Sequence, residues 1–166
     1  LAKLLEAENK LAEAEPLMRE ALEIRRRALT AGHPEIAQSL YTLGLLLRGR
    51  GKPADAESCL REALEVGRAA LRVGHPHIAY YLSGLAGLLQ VQNRLAEAEP
   101  IMREAVEIGR AALPATDVSL LASECWLVDL YAQQGKRDQA VSSIREWFES
   151  RRSALPEDSP ERAGLL

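Results

Sequence analysis

LAEAEPLMREALEIRRRAL, Leu11–Leu29, returns as PADAESCLREALEVGRAAL from Pro53, as LAEAEPIMREAVEIGRAAL from Leu95 and as RDQAVSSIREWFESRRSAL from Arg137. The starts stand 42 residues apart three times running, without insertion. A second apolar stretch follows: GHPEIAQSLYTLGLLL from Gly32, GHPHIAYYLSGLAGLL from Gly74 and the drifted TDVSLLASECWLVDLY from Thr116. Self-similarity at a fixed period of this length marks a repeat architecture. The unit it implies is a pair of helices.

The punctuation places the helix boundaries. Asn9, Gly51, Asn93 and Gly135 share one repeat position, and Gly and Asn are the residues that accept the left-handed conformation closing a helix. His33-Pro34 and His75-Pro76 put proline where a helix begins without losing a needed donor. Between breaks the apolar spacing is helical: Ala14, Met18, Ala21, Leu22 and Ile24 form one stripe. Glu15/Arg19, Glu57/Arg61 and Glu99/Arg103 are favourable i, i+4 pairs, expected to decorate a solvated face. Pro16 and Pro100 fall inside the second helices and imply a slight kink or an adjusted first turn there.

Composition agrees with an all-α chain. Of 166 residues, 28 are Leu and 26 are Ala, about a third between them, whereas only 13 are Val or Ile and seven are aromatic. The apolar content is too high for disorder, and no apolar run approaches the ~20 residues that span a bilayer. A formal charge of -3 gives no global reason to bind nucleic acid or an acidic membrane. Cys59 and Cys125 read most simply as free thiols in a reducing compartment, which points to the cytoplasm, with one disulfide as the alternative. The opening LAKLLEAENK is amphipathic and no signal peptide; starting without Met, it is expected to belong to a longer protein.

A period of 42 also suits armadillo or HEAT units, so the small-residue positions decide. The second unit reads Leu40, Leu43, Gly44, Leu47, then Ala56, Leu60, Ala63; the third reads Leu82, Leu85, Ala86, Leu89, then Ala98, Met102, Ala105. This pattern resembles the tetratricopeptide repeat. The 42-residue length, the EAEPLMREALEI second helix and the GHP junction are similar to the longer subclass found in kinesin light chains. The resemblance implies a right-handed α-α superhelix of antiparallel helix pairs. The units would run 1–36 (partial), 37–78, 79–120 and 121–162, with 163–166 starting a further one. The fourth unit departs from the pattern: Trp147 replaces the residue matching Ala63, Phe148 follows it, and Val128 replaces Gly44, each requiring local repacking.

The resemblance further implies that the first helices line a concave face and the second helices form the outer wall. Mapped onto this chain, the face carries Gln38, Tyr41, Thr42, Leu45 and Arg48 in the second unit. Tyr80, Ser83, Gly84, Gly87 and Gln90 follow in the third, and Ala122, Cys125, Trp126, Asp129 and Gln133 in the fourth; Lys3 and Glu6 belong to the first. These positions vary between units while Ala14, Ala56, Ala98 and Ala140 stay fixed, so a non-catalytic groove for a protein or peptide segment is expected. Tyr41, Tyr80 and Trp126 suit anchors of large area, and Arg48 and Asp129 suit orienting charges. Kinesin light chains typically carry an Asn pair on this face; here the pairs are Tyr41-Thr42, Ser83-Gly84 and Cys125-Trp126, so that peptide mode is not carried over. Self-association through the repeat ends, or a regulatory role within a larger bacterial signalling protein, are the alternatives.

Other chemistry is weakly supported. His75 and His77, separated by one residue, lack an acidic or Cys partner nearby, and His33 and His75 recur at a structural turn, so no metal is expected. Cys125 has no His after position 77 to act as base, and Cys59 matches the apolar Leu17 and Ile101. Arg25, Arg26, Arg27, Arg48, Arg50 and Lys52 make the N-terminal half basic and read as a solvated face, with an acidic partner as the lesser reading. No phosphate loop, paired-carboxylate site or HExxH occurs, and no cofactor is implied.

Overall fold

The computed structural model describes residues 10–154, and among these it contains seven helices and no strand. They are α1 (Leu11–Ala28), α2 (Pro34–Gly49), α3 (Pro53–Ala70), α4 (Pro76–Val91), α5 (Leu95–Ala112), α6 (Val118–Gln133) and α7 (Arg137–Ala154). Antiparallel pairs α2/α3, α4/α5 and α6/α7 stack into the right-handed superhelix expected of the sequence. The pairs differ from one another by the 42-residue period, and among the described residues the series opens on α1, a second helix. Of the expected elements, those resting on Asn9, Lys3, Glu6 and residues 155–166 lie outside the described residues.

Each boundary has a local cause. The helices α2 and α4 begin on proline, and the His33 and His75 side chains accept the N–H groups of Glu35 and His77 through Nδ1, each at 3.2 Å. Asp117 does the same for α6, accepting from Ser119 at 2.9 Å and Leu120 at 3.2 Å. These residues therefore satisfy N–H groups that a helix start leaves without partners. At the other end of α2, α4 and α6 the chain turns left-handed at Gly51, Asn93 and Gly135, with φ of 69°, 61° and 72°. The next amide then reaches back to close the last turn, Lys52 to Leu47, Arg94 to Leu89 and Lys136 to Tyr131. Helices α1 and α5 run through Pro16 and Pro100, whose missing amides leave the Ala12 and Ala96 carbonyls without their usual donor.

The core follows the small-residue positions. A Cβ on Gly44 would lie 2.8 Å from Leu60 Cγ, so that glycine lets α2 and α3 approach closely. Leu40, Leu43, Leu47, Leu60, Leu82, Leu85, Leu89 and Met102 are buried around Ala56, Ala63, Ala86, Ala98 and Ala105. On α1 the stripe is narrower than its spacing predicts. Ala14, Met18 and Leu22 are buried, but Ala21 and Ile24 are exposed, Ile24 by 58%.

The recurring Glu/Arg pairs form, but only their arginines lie on a solvated face. Glu15 and Glu99 are buried, at 2% and 6% exposure, because each also holds a cation from the turn of the following unit. Glu15 on α1 binds Arg19, Arg50 and Lys52; Glu57 on α3 binds Arg61 and Arg94; Glu99 on α5 binds Arg103 and Lys136. Burial alone pushes the Glu15 and Glu99 carboxyls up, but their cationic partners outweigh it and hold both below the usual value. A second ladder joins successive outer helices: Arg26 to Glu62 at 2.5 Å, Arg68 to Glu104 at 2.6 Å and Arg110 to Glu146 at 2.8 Å. Arg25 pairs with Glu35 and Ser39. Arg25, Arg26, Arg50 and Lys52, read from sequence as a solvated basic face, are thus largely engaged in tying units together.

The fourth unit closes less tightly than the others. No residue of α7 is buried, and Val128 stands where Gly44 and Ala86 allow close approach. Glu124 occupies the place of the core residues Leu40 and Leu82 and is buried against Arg110, whose Nε donates to it at 2.8 Å. The larger side chains hold α6 and α7 apart and leave an apolar cleft of about 210 Å³ between them.

Candidate functional site

The face lined by α2, α4 and α6 carries the residues that vary most from unit to unit. These helices touch one another side by side, so the side chains between them either lock neighbours together or remain available. Tyr41 does the former: its ring lies 5.3 Å from that of Tyr81 and fills the space above Gly84. Burial pushes the Tyr41 hydroxyl up from its ordinary value. Tyr80 is half-buried, with its hydroxyl 3.2 Å from Ser119 Oγ on the next helix. Ser83 and Ser123 face each other at 2.9 Å, and Leu45 packs against the core. Thr42 turns its hydroxyl back onto the Gln38 carbonyl at 2.8 Å, while the Gln38 side chain stays exposed.

Five of the expected residues meet around one pocket of about 550 Å³ at the C-terminal ends of these helices: Arg48, Gly87, Gln90, Trp126 and Gln133. Gly49 and Val91 complete its wall. Gly87 is the floor; a Cβ there would lie 3.2 Å from Trp126 Cζ3 and 3.3 Å from Arg48 Nη1. Trp126 is 39% exposed, and Val91 is 78% exposed. Asp129, itself exposed, orients two of these side chains, its Oδ2 accepting from Gln90 Nε2 at 2.7 Å and Gln133 Nε2 at 2.6 Å. With both amide nitrogens held, the amide oxygens of Gln90 and Gln133 are left as acceptors.

Arg48 differs from the other half-buried arginines. Arg25, Arg50, Arg94 and Arg151 each hold an ion pair or hydrogen bond, whereas Arg48 holds neither among the described residues. A guanidinium partly withdrawn from water and without an acceptor is a donor waiting for one. The pocket thus offers a cation with no partner among the described residues, two oriented amides, an indole surface and a floor with no side chain.

Cys125 lies apart from this pocket. It lines the cleft between α6 and α7, together with Val128, Ile144 and Trp147. Cys59 is half-buried against the core, and its thiol is pushed up by burial, so neither position pairs a thiol with a base. His75 and His77 stack edge to face at 5.0 Å beside the α4 N-terminus, in keeping with a capping role. No group of three His, Cys, Asp or Glu side chains among the described residues is placed to hold a metal ion. Nor is any described helix long and apolar enough to cross a membrane. Sequence reasoning missed Val91 and Gly49; an exposed Val at the end of an otherwise apolar helix gives no periodic signal.

The stacked helix pairs and the small-residue core define a helical-repeat protein. Two family models, each described as tetratricopeptide repeat, match residues 1–69 and 41–113, which together cover 113 of the 166 residues. The chain belongs to the tetratricopeptide repeat family, whose repeats generally mediate protein–protein interaction and are generally non-catalytic. It is similar in fold to a protein of Podosopora anserina described as a kinesin light chain with nearly identical TPR-like repeats. That match has a TM-score of 0.83 at 22% identity and covers 99% of this chain and 78% of the other. A single-substitution form of the same protein matches with a TM-score of 0.84, again at 22% identity, covering 99% and 77%. BtubC (BKLC) of P. vanneervenii matches with a TM-score of 0.79 at 23% identity, covering 99% of this chain and 65% of that one. The chain matches none of the curated proteins it was compared with.

Proposed function

We propose that this array is a non-catalytic module that holds a segment of a partner protein along the face of α2, α4 and α6, with its anchor in the Arg48–Gly87–Trp126 pocket. The observation that carries this reading is the pocket's composition. A half-buried guanidinium with no partner among the described residues and an exposed indole flank a glycine floor, and Asp129 fixes the two amides beside them. An extended segment has what the pocket lacks: carbonyl or carboxylate oxygens for Arg48, N–H groups for the Gln90 and Gln133 oxygens, and an apolar side chain for Trp126 and Val91. The stacked helices hold these groups in place before binding, so little ordering is required of the module itself.

Tyr41, Ser83 and Leu45 support the face by packing, and Tyr80 links α4 to α6. The segment's anchors then fall on Trp126 and Arg48. With a formal charge of -3 and the basic residues largely engaged in inter-unit pairs, a protein is a better fit than nucleic acid. The test is capture of binding partners on immobilised protein, comparing the native chain with Trp126→Ala and Arg48→Ala at equal helicity. Loss of the same partners in both variants supports the reading, and undiminished capture by both overturns it.

A further inference from the structure

The pocket that holds Arg48 and Trp126 is built from repeat positions whose residues change with every unit. Gly49, Val91 and Gln133 share one such position, and Arg48 and Gln90 share another. The counterparts of Asp129 in the earlier units are Gly87, Leu45 and Lys3, so the carboxylate beside the pocket is peculiar to the fourth unit. That carboxylate decides which atoms the glutamines present. A carboxylate only accepts, so each glutamine turns its amide nitrogen to Asp129 Oδ2, Gln90 at 2.7 Å and Gln133 at 2.6 Å. Flipping either amide would set oxygen against oxygen. What these two side chains offer the pocket they line is therefore a pair of acceptor oxygens.

One small group has the complementary set. A primary carboxamide carries a carbonyl oxygen for Arg48 and two N–H donors for the two glutamine oxygens. A carboxylate satisfies Arg48 but brings only acceptors to Gln90 and Gln133, and its charge adds to that of Asp129. An alkyl side chain leaves all three unmet. Arg48 and Asp129 together carry no net charge, which suits a neutral group. Gly87 gives a planar group room: a Cβ there would lie 3.2 Å from Trp126 Cζ3 and 3.3 Å from Arg48 Nη1, so indole and guanidinium both stand over the open floor.

Taking the groove reading as given, we propose that this pocket selects a carboxamide: the Asn or Gln side chain of a partner segment, next to an apolar residue that covers Trp126 and Val91. Arg48 donates to the carboxamide oxygen, and the carboxamide nitrogen donates to the Gln90 and Gln133 oxygens. Asp129 is the positioning residue of this selection and acts through the two glutamines.

Synthetic peptides Ser-Gly-Ala-Leu-X-Ala-Gly-Ser, with X as Asn, Gln, Asp, Glu or Ala, test it on the full chain. Binding at millimolar peptide is read from the Trp126 indole N–H resonance of isotope-labelled protein, assigned through Trp126→Phe, with helicity checked by circular dichroism. The Asn or Gln peptide is expected to bind about fivefold more tightly than its Asp or Glu counterpart and than the Ala peptide, the scale of one hydrogen bond made or opposed. In Asp129→Asn the side chain accepts from one glutamine and donates to the other, whose amide turns over and presents N–H. There the preference should vanish or reverse, a change that a merely structural role for Asp129 would not produce. Equal or tighter binding of the Asp or Glu peptide to the native chain, with Trp126 responding, overturns the carboxamide and leaves the groove reading standing. Silence of Trp126 with every peptide also overturns it, and partner capture by Trp126→Ala and Arg48→Ala then judges the groove separately. A preference that survives Asp129→Asn overturns the role assigned to Asp129.

Discussion

Tyr41 on α2 occupies the volume that a side chain at position 84 of α4 would need: a Cβ on Gly84 would stand 2.6 Å from Tyr41 Cε2. The same complementarity recurs at Gly67, where a Cβ would stand 2.6 Å from Tyr81 Cε2, and at Gly87 beside Trp126. Neighbouring helices in this array therefore match a large residue on one to a glycine on the next. The unit-to-unit variation at these positions is coupled, and part of what reads as a variable binding face is packing. Replacing Gly84 by Ala is expected to destabilise by about 1–3 kcal/mol through overpacking. Combined with Tyr41→Ala, the cost should fall well short of the sum of the single changes. Urea denaturation of the four-member cycle measures this, and additivity within ~0.5 kcal/mol would show that the contact carries no coupling.

Gly87 separates binding from folding. Its Cβ contacts would be the far ends of Arg48 and Trp126, side chains able to give way. Gly87→Leu is expected to keep the native unfolding midpoint within a few degrees while filling the floor of the pocket. Partner capture should drop as strongly as with Trp126→Ala. Full capture alongside an occupied floor would place the binding site elsewhere.

The ion-paired carboxylates give the array an acid limit. Glu15, Glu57 and Glu99 are all held below the ordinary glutamate value of 4.5 in the folded chain by the cations around them. A carboxyl depressed by folding contributes stability that is fully present above its unfolded value and is lost as pH falls through the folded one. Stability should thus be flat with respect to these groups at neutral pH and decline below about pH 4.5. Glu99→Gln is expected to cost about 1–2 kcal/mol at pH 7, a few degrees in Tm, and to flatten that decline. Thermal melts at pH 7 and pH 3.5 compare the two proteins. An unchanged pH profile would remove Glu99 from the set.

Glu124 is the one charged residue at a repeat position otherwise filled by core leucines. Its Arg110 partner also holds Glu146, so removing Glu124 leaves no unpaired cation. Glu124→Leu exchanges a buried ion pair for apolar contact beside the cleft. The change is expected to stabilise the fourth unit by roughly 0.5–1.5 kcal/mol. A fall in chemical-denaturation midpoint would show that the ion pair outweighs the packing it displaces.

The Tyr81 hydroxyl is buried and has no hydrogen-bond partner. Its ring is what Gly67 accommodates, so the oxygen adds desolvation cost and no bond. Tyr81→Phe should leave stability equal or raise it by up to about 1 kcal/mol. A marked loss, read by the same denaturation assay, would reveal an unrecognised bond to that oxygen.

The sequence by itself determined the architecture. A 42-residue period, Gly or Asn at one junction and a capping residue at the other fix helix lengths and turns, because both kinds of signal act within one or two turns of chain. It also named five of the seven residues lining the pocket, since positions that face the array's inner surface escape the demands of the core. Only the tertiary structure decided the role of each charged or aromatic side chain. Glu15 and Lys52 are 37 residues apart, Tyr41 and Gly84 lie on different helices, and no helical spacing records that they meet. A Glu that looks solvated on its own helix is buried by the next unit. An aromatic suited to a ligand, Tyr41, is spent on a neighbouring glycine, while Trp126, one repeat position over, remains open beside Arg48. Burial and pairing across units depend on how successive pairs stack, and that is a property of the assembled array.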